Sequence, residues 1–221
     1  MKILLYSGGM DSWLIDKLWK PDKKIFFDTG IEYNKEELKR LPKDVEIIKL
    51  DLSKYELSEN THTVPLRNLL FISMASYYGD EICLGSVKGD CHFDNSLEFL
   101  KNTQKLLNSL YEELEVLGQG HKQLKLVAPY KEWSKADLLK EYIKIGGTLE
   151  EAYNSTFSCY EPVNGCECKH CKPCFKKIIA FINAGMKFED KEYYKILLKD
   201  SAKKFNQEDD EEYLKAMSIL D

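Results

Sequence analysis

The sequence predicts an α/β protein, a parallel sheet wound with helices on both faces, followed by a small helical metal-binding lobe. Three observations carry that expectation. Short apolar runs alternate with stretches of helical apolar spacing over residues 1–150. A glycine pair, Gly8-Gly9, stands where the first strand gives way to the first helix. Five of the seven cysteines crowd into Cys159–Cys174.

Ile3–Tyr6 reads as a buried strand and Trp13–Leu18 as the helix after it. Lys24–Asp28 is a second strand, and the polar Asn34–Leu41 a short helix with Asn34 as its cap. Val45–Leu50 is strand three, and Leu66–Tyr78, apolar on several faces, a helix buried against the sheet. Glu81–Gly85 is strand four. Phe93–Leu117 carries Leu97, Leu100, Leu107, Leu110 and Leu114 near one face of a long amphipathic helix. Leu124–Ala128 is strand five, and Ser134–Ile145 a helix capped by Ser134. In such sheets ligands bind beyond the carboxyl ends of the strands, so the segments after strands one, two and four should converge on one cleft. The tail, 187–221, holds ten acidic and seven basic residues and reads as two solvated helices anchored by Tyr193, Tyr194, Leu197, Leu198, Tyr213 and Met217. It is a candidate dimerisation surface, which the sequence permits and does not demand.

The 221 residues suffice for one good core with an appended subdomain. Hydrophobic residues at 43% and charged residues at 31% describe an ordinary soluble chain, and the apolar runs are too short to span a bilayer. The first residues are already strand and motif, so no cleavable leader and a cytoplasmic location are expected. A net charge of −5 argues against broad or stable nucleic-acid binding. Clustered cysteines in a cytosolic chain suggest metal in preference to disulfides.

The stretch Ser7-Gly8-Gly9-Met10-Asp11-Ser12 is the strongest chemical signal. Glycines let the backbone approach a ligand, and the unsatisfied N–H groups opening the helix suit phosphate. Ser7 and Ser12 add hydroxyls, and Asp11 is a helix cap or a ligand for a phosphate-bound metal. No G-x-x-x-x-G-K-[ST] loop occurs. The stretch resembles the SGGxDS signature of the PP-loop ATP pyrophosphatases, which bind ATP and cleave it between the α- and β-phosphates.

Asp28-Thr29-Gly30 is either a turn with an Asp cap or an acceptor for a ribose hydroxyl or adenine amine; it also resembles the DTG of the phosphoadenylylsulfate reductase branch. Arg67-Asn68 is polar at the mouth of an apolar helix, where a guanidinium clamps a phosphate or carboxylate or pairs with a structural acid. Cys159, Cys168, Cys171 and Cys174 form a C-x8-C-x2-C-x2-C array that suits a closed tetrahedral zinc site, with an iron–sulfur cluster as the competing reading. Cys166 is left over, and His170 is a supporting donor or substitute ligand. Lys169, Lys172, Lys176 and Lys177 make this lobe locally basic, to attract phosphate or to balance the thiolates.

Val64-Pro65-Leu66-Arg67-Asn68, Thr156–Tyr160 with the cysteine array, and Pro129-Tyr130 with Trp133–Leu138 resemble segments of the 7-cyano-7-deazaguanine synthase family, the nitrile-forming branch of the PP-loop proteins. The resemblance runs from Met1 to about Phe181. It implies a Rossmann-like, adenine nucleotide alpha hydrolase-like fold, with 1–150 as the ATP-binding domain, 151–186 as the zinc lobe and 187–221 as a helical extension. One stretch departs from the family. After strand four the family shows Asp-Tyr-Ser-Gly-Tyr-Pro-Asp-Cys-Arg before a Pro-Glu-Phe helix start. Gly89-Asp90-Cys91-His92-Phe93-Asp94-Asn95-Ser96 is shorter and lacks that Arg, with Lys88 just before it. Lys177 stands where the family has Arg.

The resemblance implies conversion of 7-carboxy-7-deazaguanine and ammonia to the nitrile, with ATP, Mg2+ and Zn2+ as the small molecules required. Ser7, Gly8, Gly9, Met10, Asp11, Ser12 and Asp28 would hold ATP. Asp11, Ser12, Arg67 and Lys135 would serve catalysis, and Arg67, Lys88 and Asp90 the acceptor, with Asp90 on the deazaguanine edge or on Mg2+. Two other readings fit the residues. One is a divergent ligase adenylating a related acid for another nucleophile or a macromolecular acceptor (tRNA, DNA or protein). The other is a zinc-stabilised nucleotide-binding or docking module without turnover.

Overall fold

The computed structural model describes residues 1–57, 63–90, 92–116 and 122–221. They divide into two compact units, Met1–Glu132 and Trp133–Asp221. The division falls before the helix that the sequence reading assigned to the first domain.

The first unit is the expected parallel sheet. Its strands are β1 (Lys2–Leu5), β2 (Lys23–Asp28), β3 (Val45–Lys49), β4 (Glu81–Cys83) and β5 (Lys125–Val127), in the order β3-β2-β1-β4-β5. Every pairing is parallel, with Ile3 opposite Lys23 on one side and Ile82 on the other. Its helices are α1 (Met10–Trp19), α2 (Glu32–Leu38), α3 (Arg67–Ala75) and α4 (Leu97–Val116). The chain winds outward from β1 through β2 to β3, then returns past β1 to β4 and β5. Right-handed crossovers therefore put α1 and α2 on one face and α3 and α4 on the other. The reversal lies between β1 and β4, and that switch point opens the ligand crevice of such sheets.

Side-chain alternation serves both layers. Ile3 and Leu5 of β1 join Ile25, Phe27 and Ile82 in a core with Ile72 and Ala75 of α3 and Leu100 and Leu107 of α4. Leu4 points the opposite way and is fully buried, as are Leu14 and Ile15 of α1. The ring of Phe27 stacks on Phe71 with centroids 4.5 Å apart, which fixes α3 over the end of β2.

β2 ends at Asp28 as read, and the other four strands end one or two residues short of the runs that announce them. The long amphipathic segment divides into a 3-10 turn at Phe93–Asn95 and then α4. Leu117, expected at its end, and Cys91 lie outside the described residues. Asn34 is not a cap: the N-cap of α2 is Ile31, and Asn34 lies inside the helix, 4% exposed.

The second unit is helical: α5 (Lys135–Lys144), α6 (Leu149–Ser155), α7 (Lys172–Ala184), α8 (Lys191–Phe205) and α9 (Glu211–Leu220). Polar caps start four of these. Ser134 and Asp137 form a capping box on α5, Thr148 accepts from Glu151 N, Asp190 from Tyr193 N, and Asp210 from Glu212 N and Tyr213 N. Pro173 sits in the first turn of α7, and Gly185, at φ 103°, ends it. Phe175, Ile178 and Ile182 of α7 pack with Leu197 and Leu198 of α8 and Tyr213 and Ala216 of α9. The tail is thus part of the second unit's core, and Tyr193 is exposed instead of buried. Among the described residues no helix is long and apolar enough to cross a membrane.

Candidate active site and cysteine centre

The loop after β1 is held open by its own serines. Ser7 N donates to Ser12 Oγ at 3.2 Å, Ser12 Oγ donates to Gly9 O at 3.1 Å, and Gly9 N donates to Ser7 Oγ at 3.3 Å. The two hydroxyls are 3.2 Å apart. Gly8 adopts φ 77°, a left-handed conformation that costs a non-glycine residue energy. Met10 opens α1 as a buried residue, and Asp11 follows in the first turn with Oδ1 buried. No side chain caps α1, and the same holds for α2 and α3. The second unit's helices mostly spend a side chain on this duty. Those beyond the ends of β1, β2 and β3 keep N–H groups for something else.

After β2, Asp28 Oδ1 accepts from Gly30 N at 3.2 Å, so Asp28 closes its own turn, as the turn reading required. Gly30 has φ 73°, and a Cβ there would meet Asp51 Oδ1 at 2.7 Å. The turn continues into a network that the sequence reading missed. Asn34 Oδ1 accepts from Thr29 N at 3.0 Å and from the Thr29 hydroxyl, and Asn34 Nδ2 donates to Glu37 Oε2 at 2.6 Å. Burial pushes the Glu37 carboxyl up to about 7, against the Asn34 hydrogen bond and the positive charge of Arg67, which both lower it. Arg67 opens α3 with its guanidinium 6.0 Å from the Phe71 ring centroid. Its neighbour Asn68 turns inward and donates to Asp94 O at 3.2 Å and Asn95 Oδ1 at 3.0 Å. The i, i+3 pair Asn34/Glu37 was the available signal, hidden by Asn34's resemblance to a cap.

After β4, Asp90 Oδ2 accepts from Val87 N at 2.9 Å, while Lys88 is exposed. Lys131, which no motif singled out, reaches this loop from beyond β5. The first unit thus carries Ser7–Ser12, Lys88 and Asp90 beyond the carboxyl ends of its strands, Asp28 as the last residue of β2, and Arg67 at the start of α3. Lys135 and the four cysteines belong to the second unit, Lys135 as the first residue of α5.

Cys159, Cys168, Cys171 and Cys174 bring their sulfurs within 4.8 Å of one another. Backbone N–H groups point at these sulfurs, Cys168 N at Cys159 Sγ (3.2 Å) and Cys171 N at Cys168 Sγ (3.3 Å). His170 contributes its backbone N–H to Cys168 Sγ at 3.4 Å. A hydrogen bond from Cys174 pulls Cys171 down to about 5, and that same contact with burial drives Cys174 up. Four close thiolates need a cation, and N–H groups aimed at sulfur are the surroundings of a closed thiolate–metal site. The donor set therefore fits a divalent soft-ligand ion. Cys166 is exposed and outside the cluster, and Cys83 is buried in β4, where burial raises its thiol.

Lys177 is 2% exposed and donates to Thr156 O (2.7 Å), Tyr153 O (3.2 Å) and Glu167 Oε2 (2.9 Å). Its three protons are committed inside the protein, so of the two roles open to it phosphate attraction is excluded. Lys169 stands over Tyr193 and Tyr194, 5.7 Å from each centroid.

Residues 41–185 match the family model described as queuosine biosynthesis protein QueC. The chain is similar to proteins named 7-cyano-7-deazaguanine synthase. That of a Sulfurihydrogenibium species is 27% identical over 207 residues, 77% of this chain and 90% of that protein. That of Persephonella marina is 25% identical, covering 83% and 93%. That of Aquifex aeolicus is 27% identical, covering 76% and 92%.

Proposed function

The chain belongs to the queuosine biosynthesis protein QueC family, and from that premise we propose that it is an ATP-dependent ligase that makes 7-cyano-7-deazaguanine from 7-carboxy-7-deazaguanine and ammonia. The observation that supports this most is the serine-locked loop Ser7–Ser12, which leads into the uncapped α1 at the switch point of the sheet. Serine hydroxyls take the N–H groups of Ser7 and Gly9, while the first turn of α1 presents N–H groups to phosphate with no side-chain cap in competition.

A carboxylate is a poor electrophile because its leaving group would be oxide. Attack of one carboxylate oxygen on the α-phosphate of ATP breaks the α–β bridge, releases pyrophosphate and leaves an acyl adenylate. Ammonia adds to the acyl carbon, AMP departs with the C–O bonding pair, and the amide remains. The amide oxygen attacks the α-phosphate of a second ATP, which breaks its α–β bridge and releases a second pyrophosphate. Loss of that AMP with both N–H protons leaves the nitrile.

The chain's residues hold and neutralise. Ser7, Gly8, Gly9, Met10, Asp11 and Ser12 cradle the departing pyrophosphate, and Asp28 accepts from the ribose or the adenine amine. Arg67, Lys88 and Lys135 are charge partners for phosphate and carboxylate, and Asp90 takes the heterocycle edge. Asp11 is the carboxylate suited to Mg2+ accompanying the triphosphate. Cys159, Cys168, Cys171 and Cys174 hold a structural zinc ion that ties the loop before α7 to that helix. The enzyme works in the cytoplasm.

The test incubates purified protein with ATP, Mg2+, ammonium and 7-carboxy-7-deazaguanine and follows products by mass spectrometry. Nitrile and AMP together are expected. AMP without nitrile assigns another nucleophile, and no ATP cleavage overturns the proposal.

A further inference from the structure

The loop after β4 is the stretch that departs from the family pattern, and a lysine from beyond a different strand holds it. Lys131 lies four residues after the end of β5, in a turn closed by its N–H to Ala128 O at 3.2 Å. Its ammonium donates to Asp90 O at 2.8 Å, Ser86 Oγ at 3.0 Å and Val87 O at 3.5 Å. An ammonium has three protons, and all three are directed at this one loop. The Ser86 hydroxyl, 2% exposed, donates onward to Asn95 O at 3.1 Å. Asn95 Oδ1 accepts from Asn68, the neighbour of Arg67. Inside the loop Asp90 N donates to Val87 O at 3.2 Å and Val87 N to Asp90 Oδ2 at 2.9 Å, with Gly89 at φ 91° between them.

A lysine whose role were only to pack its stem would leave its ammonium in water. Here two of the three acceptors are backbone carbonyls that flank Lys88 and Gly89, so Lys131 determines how the loop presents Lys88 and Asp90 at the switch-point crevice. With its donors committed it has none left for a substrate. We propose that Lys131 is a positioning residue for the acceptor: it holds Ser86–Asp90 in the conformation that receives the heterocyclic acid, while ATP is held by the loop after β1. This rests on the function proposed above.

The test compares Lys131→Met, which keeps the stem, and Lys131→Arg, which keeps donors, with the unaltered protein. In Lys131→Met the KM for 7-carboxy-7-deazaguanine rises about tenfold, the worth of one hydrogen bond to a charged group, while the KM for ATP stays within about twofold. Lys131→Arg recovers most of that loss. In parallel, amide hydrogen exchange at Val87 and Asp90 becomes about tenfold faster in Lys131→Met, because the turn that protects them is released. An unchanged KM for the acid, or a rise shared equally by ATP, overturns the proposal. If the unaltered protein splits no ATP with this acid, the functional reading fails instead. The exchange measurement then decides Lys131 by itself: faster exchange upholds its hold on the loop, and unchanged protection overturns it.

Discussion

Lys177 and Glu167 form an ion pair of 2.9 Å in the interior of the second unit, with the lysine side chain 2% and the glutamate 16% exposed. Glu167 lies between two members of the cysteine array and also accepts from Ser158 N at 2.5 Å, beside Cys159. The pair thus fastens α7 to both segments that carry the cysteines.

Removing one partner of such a pair leaves the other charge buried and uncompensated. Lys177→Met should cost about 3–5 kcal/mol, since Tyr153 O and Thr156 O lose their donor as well. Thermal unfolding of the metal-loaded protein measures it. The double variant Lys177→Met/Glu167→Gln should lose less than the sum of the two single changes. Additive losses would refute the coupling.

Metal binding in the second unit should be stoichiometric and stabilising. Freshly purified protein should contain one zinc per chain by elemental analysis. A strong chelator should release the loop between Cys159 and Cys171, most of whose residues are exposed, while α7 keeps its packing on α8 and α9. Cys168→Ser should bind zinc at least about tenfold more weakly. Zinc well below one per chain in the unaltered protein would sink the assignment, and iron with acid-labile sulfide would replace it.

How much of this was legible follows from the range of the forces involved. Strand and helix placement came from apolar periodicity, which burial enforces locally, and so the elements of the parallel sheet matched, whereas the order β3-β2-β1-β4-β5 is set by long-range pairing. Ser7–Ser12 and the cysteine array were legible because backbone approach to phosphate and thiolate sharing of one ion each demand fixed residue types at short spacing. Asn34 misled because an Asn before a polar helix resembles a cap, whereas its amide serves Thr29 and Glu37. Lys131 and Lys177 were opaque for a different reason: lysine is common on surfaces, and only tertiary placement shows an ammonium surrounded by carbonyls. In the tail, Leu197, Leu198 and Tyr213 were legible as anchors amid the charges and are buried together with Ala216, whereas Tyr193, read the same way, is exposed.

Glu37 makes the stability of the first unit pH-dependent. Its folded value, pushed up to about 7 by burial, lies above its ordinary 4.5. The folded state therefore binds more protons than the unfolded chain between these values. The contribution is fully present below about pH 4.5 and is lost as pH rises through about 7. Glu37→Gln keeps an acceptor for Asn34 and has no charge to bury. Chemical denaturation should find the variant close to the unaltered protein near pH 4.5 and about 3 kcal/mol more stable at pH 8. Parallel curves across that range would refute the role of burial at Glu37.

Asp11 separates chemistry from folding. It lies in the first turn of α1, where a carboxylate gains only about 0.3–1 kcal/mol from the helix dipole. Asp11→Ala should therefore unfold within a few degrees of the unaltered protein, since Ser7, Gly9 and Ser12 keep their mutual hydrogen bonds. AMP formation should fall by at least about 100-fold, because a preorganised charge at a reacting phosphate contributes far more than a surface one. Asp11→Asn, with the same shape and no charge, should lose nearly as much, which assigns the loss to the carboxylate's charge. AMP release at the unaltered rate in either variant would remove Asp11 from the site.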